Sequence, residues 1–192
     1  NQMDRIFVHT IDDLNNLKRV GLIHNVVLVP QGISLYEKEY KNENVNKTDF
    51  TIACFGFLYP HKGASKLIEA FAKFVKIYPN SNVKLKLLMT VKNDYKTINE
   101  LEYCKKIIDA LSIKDYVEWH TEFLEIEVIK ENLQESDCVI LPYQYTEESS
   151  SAASRMVLSI CDCVAVTPAP IFDDIRDCCI TLNGFEKDDI FD

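Results

Sequence analysis

The stretch that most limits the fold runs from Cys138 to Asp174, CVILPYQYTEESSSAASRMVLSICDCVAVTPAPIFDD. An apolar run, Cys138-Val139-Ile140-Leu141, stops at Pro142, and beyond a polar loop Ala153, Met156, Val157 and Ile160 recur at the spacing of one helix face. A second apolar run, Cys163 to Thr167, follows at once and is halted by Pro168 and Pro170. Strand, loop, helix and strand in immediate succession require the two strands to lie parallel. Units of this kind place ligands beyond the C-terminal ends of their strands, where helix N-termini point.

The loop of this unit carries its chemistry. Glu147 and Glu148 precede Ser149, Ser150 and Ser151, and serines at a helix start offer an anion both hydroxyls and unpaired backbone N–H groups. Arg155 lies two turns beyond Glu148 on roughly the same face, and helical side chains lean towards the N-terminus, so its guanidinium is expected to reach whatever the serines hold. The plain alternative is a capped helix whose Arg155 pairs with Glu147 or Glu148.

The same alternation continues upstream. Phe50 to Gly56 reads as a strand ending in glycine, and a helix follows from Lys62-Gly63 with Leu67, Ile68, Phe71, Phe74, Val75 and Tyr78 at helical spacing. Val83 to Val91 is the next strand, Ile98 to Leu111 a helix, Tyr116 to His120 a strand, and Ile126 to Leu133 a helix leading into Cys138. Cys179 to Leu182 is a last strand. The expected class is α/β, a Rossmann-like, doubly wound, mainly parallel sheet covered on both faces. Arg5 to Thr10 reads as a strand, Asp12 to Val20 as a short helix and Asn25 to Gly32 as a strand, with no evident strand partner for the first of them; residues 37–49 are polar and aperiodic, a surface loop or linker. This divides the chain into residues 1–24, a connection, and residues 25–192, the main domain.

With 192 residues, 47% of them hydrophobic, the chain can bury a full core. The net charge of −9 argues against a nucleic-acid partner, which needs a basic face, while leaving room for a local basic pocket. Seven cysteines, mostly within apolar patterns, read as free buried thiols; Cys161-x-Cys163 with Cys178-Cys179 lacks the usual zinc spacing. No apolar run is long enough to span a bilayer and the start lacks a signal-peptide pattern, so a cytoplasmic location is expected.

A second constellation lies in Gly56-Phe57-Leu58-Tyr59-Pro60-His61-Lys62-Gly63. Gly56 lets the backbone turn, and His61 and Lys62 stand near a helix N-terminus, a second anion site. It is not a Walker loop, because the second glycine is not at the required spacing.

Taken together, these stretches resemble the C-terminal half of a GT-B glycosyltransferase of the retaining family called glycosyl transferases group 1. Asn25 to Ile33 resembles the interdomain strand of that family, Phe55 to Phe71 its glycine-arginine-leucine turn with Lys-Gly and helix, and Asp137 to Asp174 its Pro-Glu loop with the following helix and strand. Arg5 to Gly21 resembles the last strand and helix of the N-terminal half.

The resemblance implies a site for a nucleotide diphosphate sugar, the donor substrate, at the C-terminal edge of the sheet, with no further cofactor. Lys62 corresponds to the lysine that binds the donor diphosphate, and its arginine partner falls on Phe57. Of the two family glutamates, the first, which contacts the donor sugar, falls on Glu148 as the catalytic candidate; the second, which holds the ribose, falls on Met156. Gly56, Lys62, Ser149, Ser150, Ser151 and Arg155 are then the donor-binding candidates, with Arg155 a substitute for the charge missing at Phe57. Transfer builds negative charge on the leaving phosphate and positive character on the sugar carbon, so cations and N–H dipoles suit the first and an acceptor such as Glu148 the second. No Asp-x-Asp motif is present, and no obligatory divalent metal is expected. The acceptor is expected to bind through an N-terminal half missing from this chain. The chain is further expected to be truncated at its C-terminus and inactive by itself, and the full-length enzyme to associate peripherally with a membrane. The alternatives are a non-catalytic scaffold of the same fold with a degenerate site and a sugar-nucleotide epimerase.

Overall fold

The computed structural model describes residues 3–36 and 49–192; of the polar stretch 37–49, all but Asp49 lies outside them. Six parallel strands form the main sheet: β3 (Phe50–Phe57), β4 (Val83–Thr90), β5 (Val117–His120), β6 (Cys138–Leu141), β7 (Val164–Val166) and β8 (Ile180–Thr181), in the spatial order β5-β4-β3-β6-β7-β8. The chain winds outward from β3 to β5, returns to the other side of β3 with β6, and winds outward again. The direction of winding therefore reverses between β3 and β6, the topological switch point at which such sheets bind ligands.

Burial alternates along the strands with period two. On β4, Leu85, Leu87 and Met89 join one core with Cys54 of β3, while Leu88 joins the other with Ala53. The helices α2 (Ala64–Ile77) and α3 (Tyr95–Ala110) cover the first face through Leu67, Ile68, Phe71, Val75, Cys104 and Ile108. On the other face, α4 (Ile126–Gln134) and α5 (Ala152–Ile160) contribute Leu133, Val157 and Ile160. Both faces are thus sealed, as a parallel sheet requires, and the α/β reading stands.

Two local features differ from the sequence reading. The strand β1 (Ile6–Val8) does have a partner: it pairs in parallel with β2 (Val26–Leu28), with α1 (Ile11–Arg19) as the crossover, in a separate two-stranded sheet. Its partner was hidden because three-residue strands carry too little alternation to advertise pairing. The second is a short helix, α6 (Lys187–Phe191), which closes the chain and packs on α2 through Ile190 and the ion pairs Lys66–Glu186 at 2.5 Å and Lys73–Asp188 at 2.9 Å. Its polar sequence shows no apolar period, so only the tertiary contacts reveal it.

All seven cysteines are free thiols. Burial pushes Cys54 up to about 12 and raises Cys104 further, whereas Cys178 is exposed. Among the described residues no helix is long and apolar enough to cross a membrane.

Candidate functional site

The site is built where the loops after β3 and β6 meet. Leaving β3, the chain makes a short 3-10 turn, Pro60–Lys62, and Gly63 then adopts φ +72° to start α2. A side chain there is excluded twice over: the conformation is left-handed, and a Cβ would stand 1.9 Å from the Pro142 carbonyl oxygen. This approach presses the two loops together. The Gln144 N–H donates to the His61 carbonyl at 2.7 Å, and the Gln144 side-chain amide donates to the Pro142 carbonyl at 2.9 Å.

The junction holds Lys62 in place. Its Nζ donates to Glu148 Oε2 at 2.8 Å and lies 4.0 Å from the centre of the Tyr143 ring, with only 9% of the residue exposed. Tyr143 is fully buried; its hydroxyl lies 3.2 Å from Ser151 Oγ, and its carbonyl accepts from the Thr167 hydroxyl. His61 Nε2 stands 3.1 Å from Glu148 Oε1, within ion-pair reach but not aligned for a hydrogen bond. Burial lowers the His61 pKa, and Lys62 lowers it further against the opposing pull of Glu148, so the imidazole favours the neutral form. For Glu148, burial alone would raise the pKa, but the Lys62 hydrogen bond and charge prevail and hold it below its ordinary value. Glu148 is therefore a carboxylate, and Lys62 carries its counter-charge.

A cleft of about 710 Å³ opens beside this pair, within the range of small-molecule sites. Its walls include Phe55, Phe57, Phe123, Leu124, Ile126, Ile129 and Met156; its polar edge includes Lys62, Lys92, Glu148, Ser150 and Ser151. Ser151 caps α5 by accepting from the Ser154 N–H at 3.2 Å. Ala152 and Ala153, at the N-terminus of α5, also line the cleft, so first-turn N–H groups of that helix lie at its edge.

Of the candidates read from the sequence, Gly56, Lys62, Glu148, Ser150 and Ser151 come together around the cleft. Gly56 adopts φ +143°, which disfavours a side chain there, and a Cβ at that position would meet the Tyr143 hydroxyl and Ala153 only at ordinary contact distance. Ser149 does not line it. Arg155 is not brought there either: only 3% exposed, it pairs through Nη2 with Asp174 and donates from Nε to the Gln31 carbonyl at 3.2 Å and from Nη1 to the Ser151 carbonyl at 3.1 Å. It reaches neither the expected anion position nor Glu147 or Glu148. The physical reason is the helix start: α5 begins at Ala152, Glu148 is not helical, and the shared face argued from helical spacing does not exist. Met156 is half-buried; it packs against the core and also lines the cleft. Lys92 was missed by the sequence reading. It follows β4 with no motif around it, and only the parallel register, which sets Phe57 beside Thr90, reveals that it belongs to the same edge.

The model of the family described as Glycosyl transferases group 1 matches residues 36–153. No curated protein matches by sequence. The fold is similar to that of an alpha,alpha-trehalose-phosphate synthase (UDP-forming) from Burkholderia xenovorans, crystallised in complex with glucose-6-phosphate: TM-score 0.76, 10% identity, 98% of this chain and 52% of that one. It is equally similar to sucrose-phosphate synthase from Thermosynechococcus elongatus: TM-score 0.76, 13% identity, 99% of this chain and 48% of that one. The C-terminal domain of a glycosyl transferase group 1 family protein (LpcC) from Francisella tularensis gives TM-score 0.60 at 14% identity, over 74% of this chain and 71% of that one. The chain spans about half the length of the two synthases, and at these identities the structural likeness concerns the fold, that of the Rossmann-like C-terminal domain of GT-B enzymes. The family match covers more than half of the sequence and includes Gly56, Lys62 and Glu148, and on that ground the chain belongs to the glycosyl transferases group 1 family.

Proposed function

We propose that this chain is the donor-binding half of a retaining glycosyltransferase, holding a nucleotide diphosphate sugar in the cleft between the β3 and β6 loops. The observation that carries the reading is the Lys62–Glu148 pair, 2.8 Å apart at the switch point of the sheet and facing the cleft. A cation and a carboxylate fixed side by side suit the two charges that develop on transfer: Lys62 and the first-turn N–H groups of α5 attend the leaving phosphate, and Glu148 attends the sugar. The apolar wall offers a nucleobase a dry surface. Because Glu148 balances Lys62 before any ligand arrives, the incoming phosphate competes with the carboxylate for the ammonium, and Glu148 is released towards the sugar as the phosphate binds.

A second reading, a non-catalytic scaffold that kept the fold but lost the donor site, draws on Phe57 and Met156, which give the cleft apolar walls at two positions where the family carries charge. Titration with UDP-, GDP- and ADP-sugars tests both. Saturable binding that Lys62→Ala weakens by about tenfold or more, while Lys66→Ala at the Glu186 ion pair outside the cleft leaves it unchanged, supports the donor reading. Absence of saturable binding overturns it. Turnover is a separate matter, since the acceptor must be fixed opposite the donor: we expect none from these 192 residues alone, and transfer by the chain unaided would overturn that expectation.

A further inference from the structure

Four charged side chains line the cleft among the described residues: Lys62, Lys92, Glu125 and Glu148. Lys62 is already offset by Glu148 at 2.8 Å. Lys92 differs: no carboxylate among the described residues lies within ion-pair distance of its ammonium. Instead its Nζ sits 3.9 Å from the centre of the Phe57 ring and 5.7 Å from that of Tyr59. A ring face attracts a cation without cancelling its charge. The main chain of Lys92 is fixed, since its carbonyl accepts from the Thr97 hydroxyl and from the Asp94 N–H, both at 2.8 Å. The side chain is exposed and free to turn from the rings towards a ligand.

We infer that Lys92 is a phosphate-binding cation of the cleft, taking with Lys62 the diphosphate of a nucleoside diphosphate or of its sugar conjugate. A diphosphate brings about two negative charges, and a single ammonium already balanced by a carboxylate does not meet them. Lys92 supplies the missing charge from the neighbouring strand: Phe57, beneath its ammonium, ends β3, and Thr90, the register partner of Phe57, lies two residues before Lys92. The two lysines approach the cleft from the two adjacent strand ends, so the diphosphate reaches from Lys62 towards Lys92 and the sugar lies towards Glu148. Phe57 and Tyr59 act as the resting place of the free ammonium, keeping it at the cleft without a competing carboxylate.

This inference rests on the donor reading, and calorimetric titration of the chain with UDP, GDP, ADP and the corresponding nucleosides separates the two. The variants are Lys62→Ala, Lys92→Gln, Lys92→Arg and, as a control on the exposed end of α2, Lys76→Ala. The expected result is that Lys92→Gln weakens diphosphate binding about tenfold and leaves nucleoside binding unchanged, that Lys92→Arg retains most of the affinity, and that the salt dependence of Lys92→Gln is shallower than the parent's. Diphosphate affinity unchanged by Lys92→Gln but lost in Lys62→Ala overturns the role of Lys92 and leaves the donor reading standing. Equal losses for diphosphate and nucleoside also overturn it, since packing on Phe57 rather than charge would then be at work. If the parent binds no diphosphate, the donor reading fails and this inference fails with it.

Discussion

The contact between Gly63 and Pro142 gives the sharpest test of how the cleft is held. In Gly63→Ala the new methyl meets two penalties. Holding a non-glycine residue in the left-handed region costs about 1–2 kcal/mol. The methyl would also lie 1.9 Å from the Pro142 oxygen, a rigid backbone atom that must withdraw by more than an ångström. That withdrawal breaks or stretches the Gln144 N–H bond to the His61 carbonyl, about 0.5–1.5 kcal/mol, and overpacks the junction by about 1–3 kcal/mol. Lower entropy of the unfolded alanine chain adds to the loss of flexibility in the denatured state and returns about 0.4–1 kcal/mol. The net loss is about 2–6 kcal/mol, or roughly 4–24 °C in Tm for a chain of this size. Urea unfolding followed by the single tryptophan, Trp119, half-buried on β5, measures it. Gly32→Ala is the control: nothing lies within 4 Å of its added Cβ, and the expected change is within about 0.5 kcal/mol. A Gly63→Ala loss below about 1 kcal/mol would show that the two loops are not in contact and would remove the physical basis for the Lys62–Glu148 pair.

Arg155→Ala should destabilise by about 2–3 kcal/mol, because it leaves the Gln31 carbonyl and Asp174 without their cation, yet nucleotide affinity measured well below Tm should not change; a selective loss of diphosphate binding would return Arg155 to the site. Met156→Glu should fold, since the side chain reaches the cleft, and should tighten binding of ribose-containing nucleosides; unchanged nucleoside affinity with lost stability would make Met156 purely a packing residue. Stability should fall on acidification in two stages of the same sign. Unfolded His61 takes up a proton near its ordinary 6.5 while the folded imidazole resists it, and Glu148 loses its contribution as the pH drops from its ordinary 4.5 through its lower folded value. Urea midpoints from pH 8 to 3 check this, and His61→Gln should remove the first stage. Native-state thiol labelling should modify Cys178 quickly while Cys54 and Cys104 stay protected until unfolding; rapid loss of all three thiols would contradict their burial.

The strand–helix alternation and the parallel sheet were legible in the sequence, and so were Gly56, Lys62 and Glu148 as candidates, which the structure brings to one cleft. Periodicity marks burial residue by residue, and glycine or lysine at a strand end announces itself locally. The strand boundaries came out within a residue or two for β3 and β4, where eight-residue strands repeat their alternation often enough to be read.

What eluded the sequence were facts about pairs distant along the chain. The partner of Arg155 is Asp174 rather than a nearby glutamate because the true start of α5, at Ala152, turns that side chain away from Glu148. The pairing of β1 with β2, the docking of α6 on α2 and the meeting of Lys62 with Glu148 join residues far apart in sequence. Lys92 enters the cleft only because β4 lies beside β3 in register. A sequence determines by itself what each residue can bury, bond or carry as charge, since these depend on the side chain and its near neighbours. Which charges face one another is decided by the order of the strands and the helix starts, and these are set by packing the whole sheet at once.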